Sequence, residues 1–184
     1  NQDISGWDVS SVTNMSGMFA YAESFNQDIS NWNVNKVNNM RKMFCGAANF
    51  DNGGSSLNGW DVSKVFDMNN MFQNAENFNQ DINNWNVSRV FNMSYMFFNA
   101  SSFNKNINTK IITRIDGSRY KAWDVSNVNS MSYMFSGDTL DSPVIFNQDI
   151  SDWNTSKVQF MRGMFYGAIN FNQNIGEWNV SNVI

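Results

Sequence analysis

All twelve methionines of this chain fall in pairs three residues apart: Met15/Met18, Met40/Met43, Met68/Met71, Met93/Met96, Met131/Met134 and Met161/Met164. A Phe follows each pair, at Phe19, Phe44, Phe72, Phe97, Phe135 and Phe165. A tryptophan opens each unit, at Trp7, Trp32, Trp60, Trp85, Trp123 and Trp153, and Trp178 opens another. Successive tryptophans are 25, 28, 25, 38, 30 and 25 residues apart. A period in this range marks a stacked repeat array, whose units bury their apolar faces only against their neighbours. The chain is therefore expected to be a single repeat solenoid over 1–184, six units plus a fragment. It starts and stops in mid-repeat without polar caps, so it is expected to be a window on a longer chain.

Each unit divides in three. The stretch Phe25-Asn26-Gln27-Asp28-Ile29-Ser30 recurs at 78–83, 146–151 and 171–176, and its Phe and Ile, four apart, predict one face of a short strand. Trp-Asx-Val or Trp-Asx-Thr follows and reads as a brief extended segment or turn. Ser10, Asn35, Ser63, Ser88, Ser126 or Ser156 then stands where a helix N-cap would. Val, Met, Met, Phe and Ala come next at offsets 0, 3, 6, 7 and 10, a one-sided helical stripe. Gly46, Asn74, Asn99, Gly137 or Gly167 closes the stripe, with Tyr21 the exception, and Gly and Asn accept the left-handed backbone that stops helices. The predicted fold is an α/β repeat solenoid of leucine-rich-repeat-like coils, each a short strand, a turn and a short helix.

Three insertions break the period, and insertions in stacked repeats form loops, often on a binding face. Residues 51–56 add three residues around Gly53-Gly54, and 136–145 add five and hold Pro143, the one proline. The largest, 108–122, adds thirteen between Ile107 and Trp123, enough to tilt or interrupt the stack there. It carries four of the twelve basic residues, Lys110, Arg114, Arg119 and Lys121, in a chain of net charge −4. These four and Tyr120 are the candidate partner contacts.

Composition narrows the function. The net charge argues against nucleic acid as a partner, since that affinity rests on phosphate neutralisation. No apolar run approaches a membrane span. Cys45 is the sole cysteine, so no internal disulfide forms, and it reads as a tolerated surface substitution. There is no His, hence no Cys-His pair and no imidazole base or zinc ligand. No pair of carboxylates stands out for catalysis, so neither an enzyme nor a cofactor is expected.

The unit Phe-Asn-Gln-Asp-Ile-Ser-x-Trp-Asn-Val-Ser-x-Val-x-x-Met-x-x-Met-Phe-x-x-Ala resembles the bacterial surface protein 26-residue repeat, grouped with BspA-like leucine-rich-repeat surface proteins. The resemblance spans essentially the whole chain, with departures at Leu57, Thr155 and the insertion at 108–122. It implies a leucine-rich-repeat relative in which Phe, Ile, Trp, Val and Met replace Leu. It also implies an extracellular or cell-surface setting and a role in adhesion or recognition, without a catalytic motif.

Several columns admit a sharper reading beside a plainer one. Paired thioethers suit copper(I), but on this stripe they read as core filler. The tryptophans read as packing between repeats, with indole N–H groups that need partners, against a row of sugar platforms. Asp3, Asp28, Asp81 and Asp149 exchange with Asn106 and Asn174 at one position. A turn role is expected there, with a calcium ladder as the alternative. Asn26, Asn79, Asn104, Asn147 and Asn172 are expected to satisfy backbone groups at a corner of the coil. Asn14, Asn86, Asn92, Asn99, Asn154 and Asn179 head Asn-x-Ser/Thr triplets, glycosylation acceptors in a secretory setting, although the repeat chemistry itself produces such triplets. The expected function is a non-enzymatic extracellular or cell-surface scaffold for adhesion or recognition of a protein or host-surface ligand. The alternatives are a filament or coat component self-associating head to tail, and a glycan- or calcium-binding module.

Overall fold

A computed structural model describes residues 1–137 and 143–184. Each coil is a chain of β-turns. In the second coil, Trp32 N–H donates to the Ile29 carbonyl at 3.0 Å, Val37 to Val34 at 2.9 Å and Met43 to Met40 at 3.1 Å. Ala47 then donates to Phe44 at 3.1 Å and Phe50 to Ala47 at 2.9 Å. Every residue at the corners of these turns is buried. The same closures recur at Leu57/Trp60, Val62/Val65, Met68/Met71, Phe72/Ala75 and Ala75/Phe78, and again one coil further on. Apolar residues at i and i+3 are thus the two ends of a turn, both directed into the core.

The expected short helix is absent, and with it the α/β, leucine-rich-repeat-like solenoid. Among the described residues the only helical element is a single 3-10 turn, Asn52–Gly54. The Met-x-x-Met-Phe segment spends its N–H groups alternately. Met15, Gly17, Phe19 and Tyr21 donate to the next coil, to the carbonyls of Asn39, Arg41, Met43 and Cys45 at 2.6–2.9 Å. Met18, Ala20 and Ala22, between them, close turns onto Met15, Gly17 and Phe19. An α-helix would keep all these donors for its own carbonyls and leave none to join the coils. Parallel bridges Asn14↔Asn39↔Asp67↔Asn92↔Ser130↔Phe160 run unbroken through the stack, across the large insertion as well.

The turn signals carry a different meaning from the one expected. Gly46, Asn74, Asn99 and Gly167 are left-handed (φ 71°, 55°, 53° and 71°), and Tyr21 joins them at 60°. They are not helix stops; they supply the positive φ that a type II turn needs at its third position. Gly46 has a further reason to lack a side chain, since a Cβ there would sit 2.7 Å from the Tyr21 ring. Ser10 and its equivalents are not N-caps: the Ser10 N–H donates to Asp8 Oδ1 at 3.0 Å, inside the Val9–Val12 turn. The expected strand at Phe25–Ile29 is likewise a non-strand segment, although both residues are buried.

Ten methionines are buried, and the exposed one, Met18, lies on the first coil. Beside them two Phe columns run along the axis. Phe19, Phe44, Phe72, Phe97, Phe135 and Phe165 stack with ring centroids 5.5–5.9 Å apart. Phe25, Phe50, Phe78, Phe103, Phe146 and Phe171 form the second column at 5.7–6.2 Å. Every indole from Trp32 onward donates its N–H to the previous coil: Trp32 to Ile4, Trp60 to Ile29, Trp85 to Leu57, Trp123 to Ile82, Trp153 to Ile107 and Trp178 to Ile150, at 2.8–3.2 Å. The tryptophans are therefore packing residues, and only Trp7 is exposed. Cys45 is buried too, its thiol 3.7 Å from Gln73 Oε1, so it is not a surface substitution: the coil-to-coil ladder passes through its own carbonyl.

Two outcomes check this architecture. Far-UV circular dichroism should lack the paired minima of an α-helix, and their presence would refute the ladder of turns. Trp85→Phe keeps a ring in the row but removes one of the two donors on the buried Leu57 carbonyl, the Trp60 N–H remaining at 3.1 Å, and should cost about 0.5–1.5 kcal/mol in urea unfolding.

Candidate interaction surface

The insertion at 108–122 folds as a hairpin. Strand β1 (Lys110–Thr113) pairs antiparallel with β2 (Arg119–Ala122), with Ile111 opposite Lys121 and Ile112 opposite Tyr120. The connection is tied by Arg114 N–H to Ser118 O (2.8 Å), Gly117 N–H to Arg114 O (3.0 Å) and Ser118 N–H to Asp116 Oδ1 (2.9 Å). Gly117 supplies the positive φ, 81°, that this tight loop requires. The hairpin grows from the middle of one turn. Ile107 and Trp123 hold the two buried corner places that Ile82 and Trp85 hold in the previous coil, and the insertion replaces the two residues between them. Thr109 Oγ1 closes the neck onto the Trp123 carbonyl at 2.8 Å.

The structure places all five predicted contact residues on this hairpin and divides them between its faces. Arg119 and Lys121 lie with the half-exposed Ile111 on the outer face, and Ile115 stands fully exposed at the tip. Lys110 is exposed at the base and Arg114 at the start of the loop. Tyr120 is an anchor: it is half-buried, and its hydroxyl donates to the Asn84 carbonyl at 2.6 Å. The Arg114 guanidinium lies 4.3 Å from the centre of the Tyr120 ring. Burial raises the Tyr120 pKa above its ordinary value; the Arg114 charge opposes that shift and the Asp61 carboxylate adds to it.

The polar columns do backbone work. The corner amides form a ladder in which each Oδ1 accepts the N–H of the equivalent residue one coil on: Asn26 from Asp51, Asn79 from Asn104, Asn104 from Asn147 and Asn147 from Asn172, at 2.8–3.1 Å. Asp51 takes the same place and accepts from Asn79 at 2.8 Å. Asp3, Asp28 and Asp149, like Asn106 and Asn174, accept the N–H two residues on, at 2.9–3.0 Å. The Asp28 carboxyl is held below its usual pKa, first by the Ser30 side chain, then by the Ser30 backbone N–H and the Ser55 hydroxyl. Among the described residues no three His, Cys, Asp or Glu converge on a metal-sized site. The Asn-x-Ser triplets headed by Asn14, Asn86, Asn92, Asn154 and Asn179 are such turns as well, each Oδ1 accepting the N–H of its own Ser at 2.9–3.2 Å.

One surface went unremarked in the sequence. Lys36, Lys64, Arg89, Asn127 and Lys157 each take the third place of the Val-x-x-Val turn, or of its Thr155 variant, one per coil. Two residues on, Asn38, Phe66, Phe91, Asn129 and Gln159 form an adjacent column joined by backbone hydrogen bonds of 2.8–3.0 Å. Aligning the units at fixed offsets from the turn valines would have revealed both. The insertion at 136–145 lies partly outside the described residues.

Tyr120 makes docking of the hairpin sensitive to alkali. Its folded-state pKa is raised, so the contribution to stability is fully present below the unfolded value of about 10 and is lost as pH rises through the folded one. The protection of the β1 and β2 amides, measured against the intrinsic base-catalysed exchange rate, should therefore fall above about pH 10, and Tyr120→Phe should remove that step. An unaltered step in the variant would place its cause elsewhere.

No helix among the described residues is long and apolar enough to cross a membrane. No curated protein and no solved structure matches the chain. A family model does, in three overlapping tandem stretches, residues 1–58, 52–118 and 114–184. The chain thus belongs, over its whole length, to the repeat family described as "Mycoplasma protein of unknown function, DUF285".

Proposed function

We propose that this chain is a non-enzymatic recognition scaffold working at a cell surface or outside the cell, with the hairpin as a contact element for a protein or host-surface ligand. The observation that carries this reading is the hairpin's build. Ile111 and Ile115 stand exposed on a projecting β-ribbon, beside four cations of an otherwise acidic chain. Exposed apolar side chains ringed by charge are a common form of docking surface. The ribbon is also fixed at its neck by Thr109 and along its length by Tyr120, so little ordering is left to be done on binding. Kinship with the BspA-like surface proteins belongs to the same proposal and is supported by the shared Trp-Asn-Val and Met-x-x-Met-Phe units.

The test compares beads coated with the chain and beads coated with a variant in which two glycines replace residues 110–121, on cultured cell monolayers. The variant should keep the unfolding midpoint of the stack, because the corner residues Ile107 and Trp123 remain, and should lose most of the adhesion. Equal adhesion of the two would sink the hairpin as a contact element.

A further inference from the structure

Phe66 and Phe91 are 41% and 47% exposed, and their rings lie parallel, 6.1 Å apart, on the outside of successive coils. Two residues before each stands a cation, Lys64 or Arg89, and Lys36 continues that row by one coil. All three are exposed, and the only ion pair among the described residues lies elsewhere, between Lys105 and Asp81. The side chains three residues upstream are Asn33, Asp61 and Asn86. The same column holds Asp8 and Asp124 in the flanking coils, and Asp8 feels the charge of Lys36, so the cations are partly offset at the ends of the row. On the fifth and sixth coils the row continues as Asn127 and Lys157. With Asn129 and Gln159 they line a hollow of about 340 Å³. One face thus carries cations at the pitch of the coils, an exposed aromatic pair, and a run of amides.

We propose that this face binds an acidic polysaccharide lying along the axis of the stack. Cations at fixed intervals match a ligand whose sulfate or carboxylate groups also recur at fixed intervals on a stiff chain, which has little conformational entropy to lose. Exposed rings give the C–H faces of sugars an apolar surface, and Asn and Gln amides both donate to and accept from hydroxyl groups. An extended acidic peptide fits less well. It would dock on a column of this kind by adding a strand, but the backbone here is already used: Phe66 N–H bonds Asn38 O, Phe91 N–H bonds Phe66 O and Asn129 N–H bonds Phe91 O, at 2.8–3.0 Å. Single-stranded nucleic acid would meet the same net charge of −4, and the run of amides at Asn127, Asn129 and Gln159, which suits a ligand rich in hydroxyl groups, favours the polysaccharide. The proposal deepens the recognition reading but does not depend on the hairpin.

The experiment titrates the 184-residue chain with dextran sulfate and polygalacturonate, and with neutral dextran, polyglutamate and single-stranded DNA as comparisons. Two double variants place residues on this face that the same columns already carry elsewhere: Lys64→Asn with Arg89→Asn, and Phe66→Asn with Phe91→Gln. Both should keep the wild-type unfolding midpoint. The charge variant should bind the acidic polysaccharides about tenfold more weakly or worse, with a shallower dependence on salt. The aromatic variant should lose affinity with its salt dependence unchanged. Removing the hairpin should leave this binding intact even where it abolishes adhesion, so the two readings fail separately. Wild-type affinity in both double variants, or binding of polyglutamate or DNA as tight as that of the acidic polysaccharides, would overturn the proposal.

Discussion

Everything in this stack depends on how the Met-x-x-Met-Phe segment divides its backbone donors. One N–H reaches the next coil and the following one closes a turn within its own coil, and this alternation runs from Met15 to Ala22 and on through the described residues of the second to fifth coils. A parallel sheet would send every available donor sideways, and an α-helix would send none. The intermediate solution keeps the segment compact enough to turn, yet joins each coil to its neighbours. It requires left-handed residues four apart, as at Gly17 and Tyr21 or Lys42 and Gly46. Lysine and tyrosine hold that conformation because the flanking hydrogen bonds leave them no other, at a local cost of about 1–3 kcal/mol.

A chain built of turns has many backbone groups that no regular element satisfies, which explains the abundance of Asn and Asp. Three columns of Asx side chains accept backbone N–H groups at fixed places: after the Phe, after the Trp, and at the bridge residue of the Met segment. A fourth, the corner ladder, passes from coil to coil. Asp and Asn interchange in these columns because the backbone N–H needs only Oδ1, which both residues carry. The chain is therefore low in charge without being short of polar contacts, and the Asn-x-Ser triplets arise from turn geometry before any question of modification.

The repeat, its register and, Cys45 apart, its buried residues were legible in the sequence, because a side chain that faces the core in one inner unit does so in the others, while Trp7 and Met18 of the first coil are exposed. The secondary structure was not, for a definite reason. Offsets of 0, 3, 6, 7 and 10 fit one face of a helix, and they fit a run of four-residue turns with inward corners equally well. The Gly and Asn at the ninth offset deepened the ambiguity, since left-handed backbone ends helices and completes type II turns alike. Composition held the better clue: Ser, Asn and Asp compete with helix for backbone groups, and here they stand at almost every position between the apolar ones. The hairpin was legible only as an insertion. Nothing in its sequence told that Tyr120 would turn inward while Arg119 and Lys121 faced out, because that alternation is fixed by the register of β1 on β2.

The same constraints say where such a chain is free to differ from coil to coil. Corner positions are held by the core and Asx positions by backbone donors, so variation is confined to the outward places of each turn and to whole segments inserted between two corners. Both freedoms are used. The outward columns change from Thr13 and Asn38 to Phe66 and Phe91, then back to Asn129, with no effect on the bridges beneath them. The insertion between Ile107 and Trp123 leaves both corners buried and the Phe97–Phe135 stack at 5.7 Å, as close as the stacks in coils without an insertion. A scaffold whose cohesion lies in its backbone ladder and its inward corners can thus acquire surface chemistry one coil at a time. In this chain that chemistry concentrates on two regions, the hairpin and the cation–aromatic face.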